Sequence, residues 1–441
     1  MKLSEFSGFI GLDLVFSGLS GFSVFKGTEL IAHGLLNKKT LNTSDPQFKI
    51  NHANYLAVRL NQLFGMVSNT ICIIEKSDWH QSGGVQKSVR TKSGRWVTKT
   101  VHAESAGRER RALQSLALAR GLAISLILAS DGRILPYYMA VDEVRGALLC
   151  GKNSKEAVFH KIKKLYGLDL ELSTENMNVT DAIALPSAFL KVLTLPDGNT
   201  RKVRQTAQLT RSKAAVKLFM QALLDMGLGG YQEMLALYNP EKENKLSHLR
   251  SLLAKHNRKA FVKPYSGGDF TGDIYISVDV SSRNPAVVVS RKQEGSPHEI
   301  LFHKTYALKN DMPDMKDISY EILTAANLLL LMGSTRVMFP YKGVIFDYLD
   351  THRSGAGLDY HIDLIAINSL FFMYGVLLGG AYLWGLPVLA VKTTDAKKAV
   401  LRKKNASEKE IKEYFEEKFP FLKNEHTRGA ALLAEYFWKL A

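Results

Sequence analysis

The chain has 441 residues, 46% of them apolar, and a formal charge of +16. Such a length fits two or three domains with sizeable cores, and the composition excludes a disordered or low-complexity protein. Only two cysteines are present, which excludes a disulfide framework or a zinc cluster and predicts a reducing, cytoplasmic setting.

The excess positive charge is spread through both halves and points to a polyanionic partner, of which nucleic acid is the commonest. The first residues enter an apolar run without the charged start, apolar stretch and cleavage site of a secretion signal. Residues 8–14, 21–25 and 29–36 predict an antiparallel opening meander whose first strand delivers Asp13. A helix follows over 51–66, with Tyr55, Leu56, Leu60 and Leu63 on its apolar face, and a strand over 70–74 delivers Glu75.

Residues 77–108 turn polar and read as an exposed loop or hairpin. Lys87, Arg90, Arg95 and Trp96, with Trp79 and His80, interleave cations and aromatics there. That mixture suits phosphate contacts and stacking on unpaired bases. A long apolar helix over 112–129 leads into a strand over 134–141, and Ser154 is a plausible cap for a helix that begins at Lys155. Residues 197–272 read as a basic helical connector, with Arg201, Lys202, Arg204, Arg211, Lys213 and Lys217 at its start.

From about residue 273 the same order of elements recurs. Asp279 ends one apolar strand, Asp347 ends another, and Ser407 opens a helix as Ser154 does. Residues 364–391 contain no charge and are long enough to span a bilayer. Gly379-Gly380 and Gly385-Leu386-Pro387 divide the run, which predicts a helix, a turn and a short buried strand, and no integral membrane segment.

The first copy resembles a RuvC-type Holliday junction resolvase, a branch of the ribonuclease H-like fold. Gly11-Leu12-Asp13 with Gly21-Phe22-Ser23-Val24 resembles that family's opening hairpin, Ile73-Ile74-Glu75 its second acidic strand, and Ala119-Arg120-Gly121-Leu122-Ala123-Ile124 the helix behind the site. Thr180-Asp181-Ala182-Ile183-Ala184-Leu185 resembles the family's last helix, opening with Asp. The resemblance implies an α/β protein of two tandem ribonuclease H-like domains, each a mixed five-stranded sheet flanked by helices. They would occupy 1–196 and 273–441, joined by the connector 197–272.

The resemblance further implies a structure-selective endonuclease that hydrolyses phosphodiester bonds in branched or single-stranded DNA. Asp13, Glu75 and Asp181 would hold Mg2+ or Mn2+, since hard divalent ions prefer oxygen ligands and two of them can activate water and stabilise the leaving oxygen. Asn178 stands where the family has a further carboxylate or a His, a departure that supplies a neutral ligand. Arg145 and Lys155 fall near the family's basic residues beside the scissile phosphate. The second copy departs more: its last helix, Glu425-His426-Thr427-Arg428-Gly429, puts Arg428 or Gly429 in place of Asp181, with Glu425 and His426 as substitutes. Two copies in one chain suggest an internal pseudo-dimer with one site retained. The alternative is a catalytically inactive descendant, a scaffold for protein partners or transport or a nucleic-acid-binding factor, of the kind a large phage would repurpose.

Overall fold

The computed structural model describes residues 6–16, 18–37, 46–76, 86–90, 96–100, 104–148, 154–264, 272–281, 284–306, 318–348 and 364–440. For residues 46–47, 86–90, 96–100, 104–113 and 364–367 the description is of backbone only. The chain opens with β1 (Gly8–Asp13), β2 (Gly21–Lys26), β3 (Glu29–Leu35), α1 (Pro46–Gly65) and β4 (Thr70–Lys76). A hairpin of β5 (Gln86–Arg90) and β6 (Trp96–Thr100) precedes α2 (Glu104–Leu128), β7 (Ile134–Ala140), α3 (Val141–Leu148), α4 (Lys155–Tyr166) and α5 (Thr174–Leu193). The sheet runs β3-β2-β1-β4-β7, antiparallel through its first three strands and parallel through its last three. Strands β1 and β7 are buried at every position and β4 at all but its last two, as expected of strands covered by helices on both faces.

Three helices follow, α6 (Thr200–Asp225), α7 (Tyr231–Leu235) and α8 (Glu243–His256). Beyond them come β8 (Asp273–Asp279), β9 (Ala286–Lys292), β10 (Glu299–Thr305), α9 (Ile318–Met338), β11 (Val344–Asp347), α10 (Leu364–Leu383) and β12 (Val388–Val391). Helices α11 (Thr393–Leu401), α12 (Glu408–Lys418) and α13 (Glu425–Leu440) close the chain. The second sheet, β10-β9-β8-β11-β12, has the same order and the same mixture of antiparallel and parallel pairs as the first. The molecule is thus α/β, with two mixed five-stranded sheets flanked by helices.

Helix α5 lies on β1 and β2 at backbone distance. A Cβ on Gly11 would stand 2.0 Å from the Ala182 carbonyl oxygen, and one on Gly21 would stand 2.2 Å from that of Asn178. Pro186 has no N–H to give to the Ala182 carbonyl four residues back. The Ser23 hydroxyl donates to that same carbonyl at 2.8 Å, so the helix trades an internal bond for one to the sheet. The helix starts at Thr174, capped by Ser173, which puts Asp181 about two turns inside it rather than at its opening as the motif predicts. Similarly, α1 begins at Pro46, earlier than the apolar periodicity indicates.

The two sheets are joined through α2 and α10. A Cβ on Gly121 would lie 2.0 Å from the Phe372 carbonyl oxygen, and one on Gly375 would lie 2.0 Å from that of Leu118. Arg120 reaches across to Glu321 of α9 with a two-pronged ion pair, Nη2–Oε1 at 2.9 Å and Nε–Oε2 at 3.1 Å, and the Tyr138 hydroxyl donates to the same carboxylate. Buried apolar residues from Phe9 to Val388 form one continuous core, and a smaller core lies under α11, α12 and α13 around Phe415 and Leu432. The uncharged run at 364–391 resolves into α10, a turn and β12. Among the described residues α9 alone is long and apolar enough to cross a bilayer, and 67% of its apolar window is buried against other helices.

The reciprocal glycine contact gives a stability test. Gly375→Ala is expected to lower the unfolding free energy by about 1–3 kcal/mol, because backbone rather than a flexible side chain must move. Gly65→Ala, where an added Cβ meets nothing within 4 Å, is expected to be neutral or slightly stabilising. Urea unfolding of the two variants beside the parent checks both.

Candidate active site

Leu12 of β1 pairs with Ile74 of β4, so the two parallel strands present Asp13 and Glu75 next to each other at their C-terminal ends. Helix α5 brings Asp181 to the same place, and Ser154 caps α4 so that its first residue, Lys155, faces them. The Lys155 ammonium is 2.7 Å from Asp181 Oδ2 and 4.0 Å from Asp13 Oδ2, and donates to Asn178 Oδ1 at 3.1 Å. Asp13 is only 2% exposed, and its Oδ2 accepts no hydrogen bond.

Burial disfavours the charged form of each acid, and the acids repel one another. Asp13 is held well above the usual carboxylate range by burial and then by Glu75, with Asp181 adding to the repulsion and Lys155 opposing it. Glu75 is pushed up to about 7 by burial and by Asp181, against Lys155 and Arg145. Asp181 is raised by burial, with Lys155 and Arg145 pulling it down. Burial works against the Lys155 ammonium, but Asp13, Asp181 and Glu75 hold it above its ordinary value. Three acids therefore share two neighbouring cations, and burial and mutual repulsion favour keeping a proton among them.

Glu75, Asp181, Lys155 and Arg145, with Val144 and Val158 as apolar wall, line a cavity of about 30 Å³. That is room for one water or a small ion and not for an organic cofactor. The donors are all oxygens, which suits a hard divalent ion in kind, and Asp13 Oδ2 is an acceptor with no bond made. Among the described residues no three His, Cys, Asp or Glu side chains are gathered closely enough to hold one ion. The Lys155 ammonium supplies the positive charge between Asp13 and Asp181, so an ion entering there has to displace it.

The geometry brings together Asp13, Glu75, Asp181, Lys155, Asn178 and Arg145 out of the residues expected from the sequence. Lys87, Arg90 and Trp96 fall on the β5–β6 hairpin, whose side chains lie outside the description, and Arg95, Trp79 and His80 lie outside the described residues. Cys72 is a buried free thiol and Cys150 lies outside the described residues. The motif reading did not assign Arg201, whose Nη2 would be 3.1 Å from a Cβ on Gly146, beside Arg145. The run of cations at 201–217 was the available signal.

In the second half Asp279 and Asp347 again end neighbouring parallel strands. Asp347 is pushed up to about 7 by burial and by Asp279, although its Oδ1 accepts the Val280 N–H at 3.0 Å. The helix position facing Asp279 is Gly429, where a Cβ would stand 3.0 Å from Oδ2. Arg428 turns away from the carboxylates, pairing with Glu408 at 3.0 Å and donating to the Lys423 carbonyl at 2.8 Å. His426 Nδ1 lies 3.0 Å from Asp279 Oδ2, and this contact raises its pKa. Glu408 follows its cap Ser407 as Lys155 follows Ser154, and Arg428 follows Thr427 as Asp181 follows Thr180. Glu408–Arg428 thus ties α12 to α13 as Lys155–Asp181 ties α4 to α5, with the signs reversed.

No family model matches the chain and no curated protein matches it. Among solved structures it is similar to a Thermus thermophilus RuvC structure, with 14% identity, a TM-score of 0.29, and coverage of 38% of this chain and 96% of that one. It is also similar to T. thermophilus RuvC in complex with a Holliday junction substrate, with 12% identity, a TM-score of 0.30 and the same coverage.

A raised acid pKa means that the folded state binds the proton more tightly than the unfolded chain. The stability contributed by Glu75 is therefore complete below about 4.5 and is lost as pH rises to about 7. Glu75→Gln is expected to flatten this decline, matching the parent near pH 4.5 and exceeding it near pH 8 by on the order of 2 kcal/mol. Urea unfolding in chelator across that range checks it; parallel curves would contradict the burial and repulsion described.

Proposed function

We propose that this chain is a metal-dependent, structure-selective endonuclease of RuvC type, acting on branched or single-stranded DNA. The observation that carries the reading is the convergence of Asp13, Glu75 and Asp181 from β1, β4 and α5. All three acids are raised, and a buried Asp13 oxygen accepts no hydrogen bond. A bound Mg2+ or Mn2+ would activate water and stabilise the leaving oxygen. Asp13, Glu75 and Asp181 would hold it, with Asn178 as a neutral ligand, once Lys155 leaves Asp181 and the three acids close in. Arg145 borders the cavity, and Lys155, half of whose side chain is exposed, can turn outward to a phosphate oxygen.

The same reading takes residues 1–196 as the catalytic domain, 197–272 as connector and 273–441 as a second copy that has lost its site. Arg428 and Glu408 reverse the charges of Asp181 and Lys155, and His426 engages Asp279, so among the described residues no third acid joins Asp279 and Asp347. The contact of Gly121 on Phe372 and of Gly375 on Leu118 has the reciprocity of a two-fold interface, which supports an internal pseudo-dimer. With one site per chain, symmetric cutting of a junction would need two chains, whereas nicking would need one. An intracellular, DNA-associated location accompanies this reading.

One observation favours a second reading, a non-catalytic scaffold: Lys155 already bonds Asp181 and Asn178, so the acids carry their own counter-ion. Cleavage of labelled four-way junction, flap, single-stranded and duplex DNA with Mg2+ or Mn2+ separates the two. The nuclease predicts metal-dependent nicking by the parent and its loss in Asp13→Asn. Absence of nicking on every substrate, with DNA binding intact in both proteins, supports the scaffold.

A further inference from the structure

Between residues 201 and 217 the connector helix α6 carries six Lys or Arg residues and no Asp or Glu. Leu209, Val216, Phe219 and Leu223 define its buried face. Arg201, Arg204 and Arg211, at three- and seven-residue spacings, fall along one edge of that face, and all three are exposed. The edge is fixed to the body of the protein, because Gln208 within it donates from Nε2 to the Tyr138 carbonyl at 3.1 Å, on the strand that leads into α3.

The edge also begins beside α3, the helix that walls the cleft. Arg201 Nη2 would lie 3.1 Å from a Cβ on Gly146, and the preceding residue, Arg145, lines the cavity with Glu75 and Asp181. At ~1.5 Å rise per residue, Arg201 and Arg211 are separated by about 15 Å along the helix. That distance matches about four phosphates of one strand at ~3.4 Å each. A rigid helix with cations at this spacing is preorganised for a sugar-phosphate backbone. A single small anion would not need such a row.

We propose that Arg201, Arg204 and Arg211 form a phosphate track that carries the nucleic-acid strand entering the carboxylate cleft past Arg145. The proposal rests on the reading that the cleft handles nucleic acid, but not on cleavage. The connector is then part of the substrate surface as well as a tether between the two sheets.

The test is binding of labelled single-stranded and duplex DNA in chelator, read by anisotropy across a salt series. The proteins compared are the parent, the triple Arg201→Ala, Arg204→Ala, Arg211→Ala, the corresponding triple Lys variant, and Lys213→Ala with Lys217→Ala on the opposite edge. The Ala triple is expected to bind roughly 10- to 100-fold more weakly, with a plot of log K against log salt shallower by about 2–3. The Lys triple should keep the parent's salt slope, and the opposite-edge variant should bind nearly as the parent. All five substituted side chains are exposed, and thermal unfolding verifies that each variant is folded. The track is overturned if the Ala triple binds as the parent does, if both edges matter equally, or if the parent binds anionic vesicles or an acidic peptide in preference to DNA. A parent that nicks DNA together with a triple that binds normally removes the track and keeps the nuclease. A parent that binds through this edge and never nicks does the reverse.

Discussion

The site depends on α5 lying on the first sheet at backbone distance. Gly11 and Gly21 leave no side chain between strand and helix, and Pro186 releases the Ala182 carbonyl that Ser23 then binds. Any ordinary residue at Gly11 would clash with that carbonyl and push α5 outward, carrying Asp181 away from Asp13. The same device joins the halves, where Gly121 and Gly375 bring α2 and α10 into backbone contact. Close approach of backbones is thus the constraint at both levels, within the first half and between the two.

Charge compensation follows from that placement. Gathering Asp13, Glu75 and Asp181 at the sheet end removes water from carboxylates that repel one another, and that cost is offset by retained protons and by positive charge among them. Lys155 and Arg145 supply part of it. In the second half the helix position facing Asp279 is Gly429, which brings no charge there. Glu408 and Arg428 keep the contact between helix start and last helix with opposite signs, and His426 takes up Asp279. The two halves solve the same geometric problem with different charges.

Much of the strand framework was legible in the sequence because apolar runs ending in Asp13, Glu75, Asp279 and Asp347 are unbroken and bounded by turn residues. The hairpin of β5 and β6 was legible as a polar interruption with Gly83-Gly84 at its start. The start of α5 was not, because the polar turns from Thr174 onward carry no apolar periodicity and only the Ser173 cap marks them. The choice between Arg428 and Gly429 could not be made from residue order either. One residue rotates a helix by about 100°, enough to turn a side chain from the carboxylates to Glu408. The bridge from Lys155 to Asp181 and Asn178 joins separate helices and is a product of packing alone. Helix α9 was not assigned from the sequence; it is buried by α2, α6 and α10.

The most direct measurement is anomalous diffraction from crystals of the parent protein soaked in Mn2+. The account predicts anomalous density among Asp13, Glu75 and Asp181, with the Lys155 ammonium moved off Asp181, and none beside Asp279 and Asp347. Lys155 still seated on Asp181 and Asn178, with no anomalous density at the carboxylates, would contradict it.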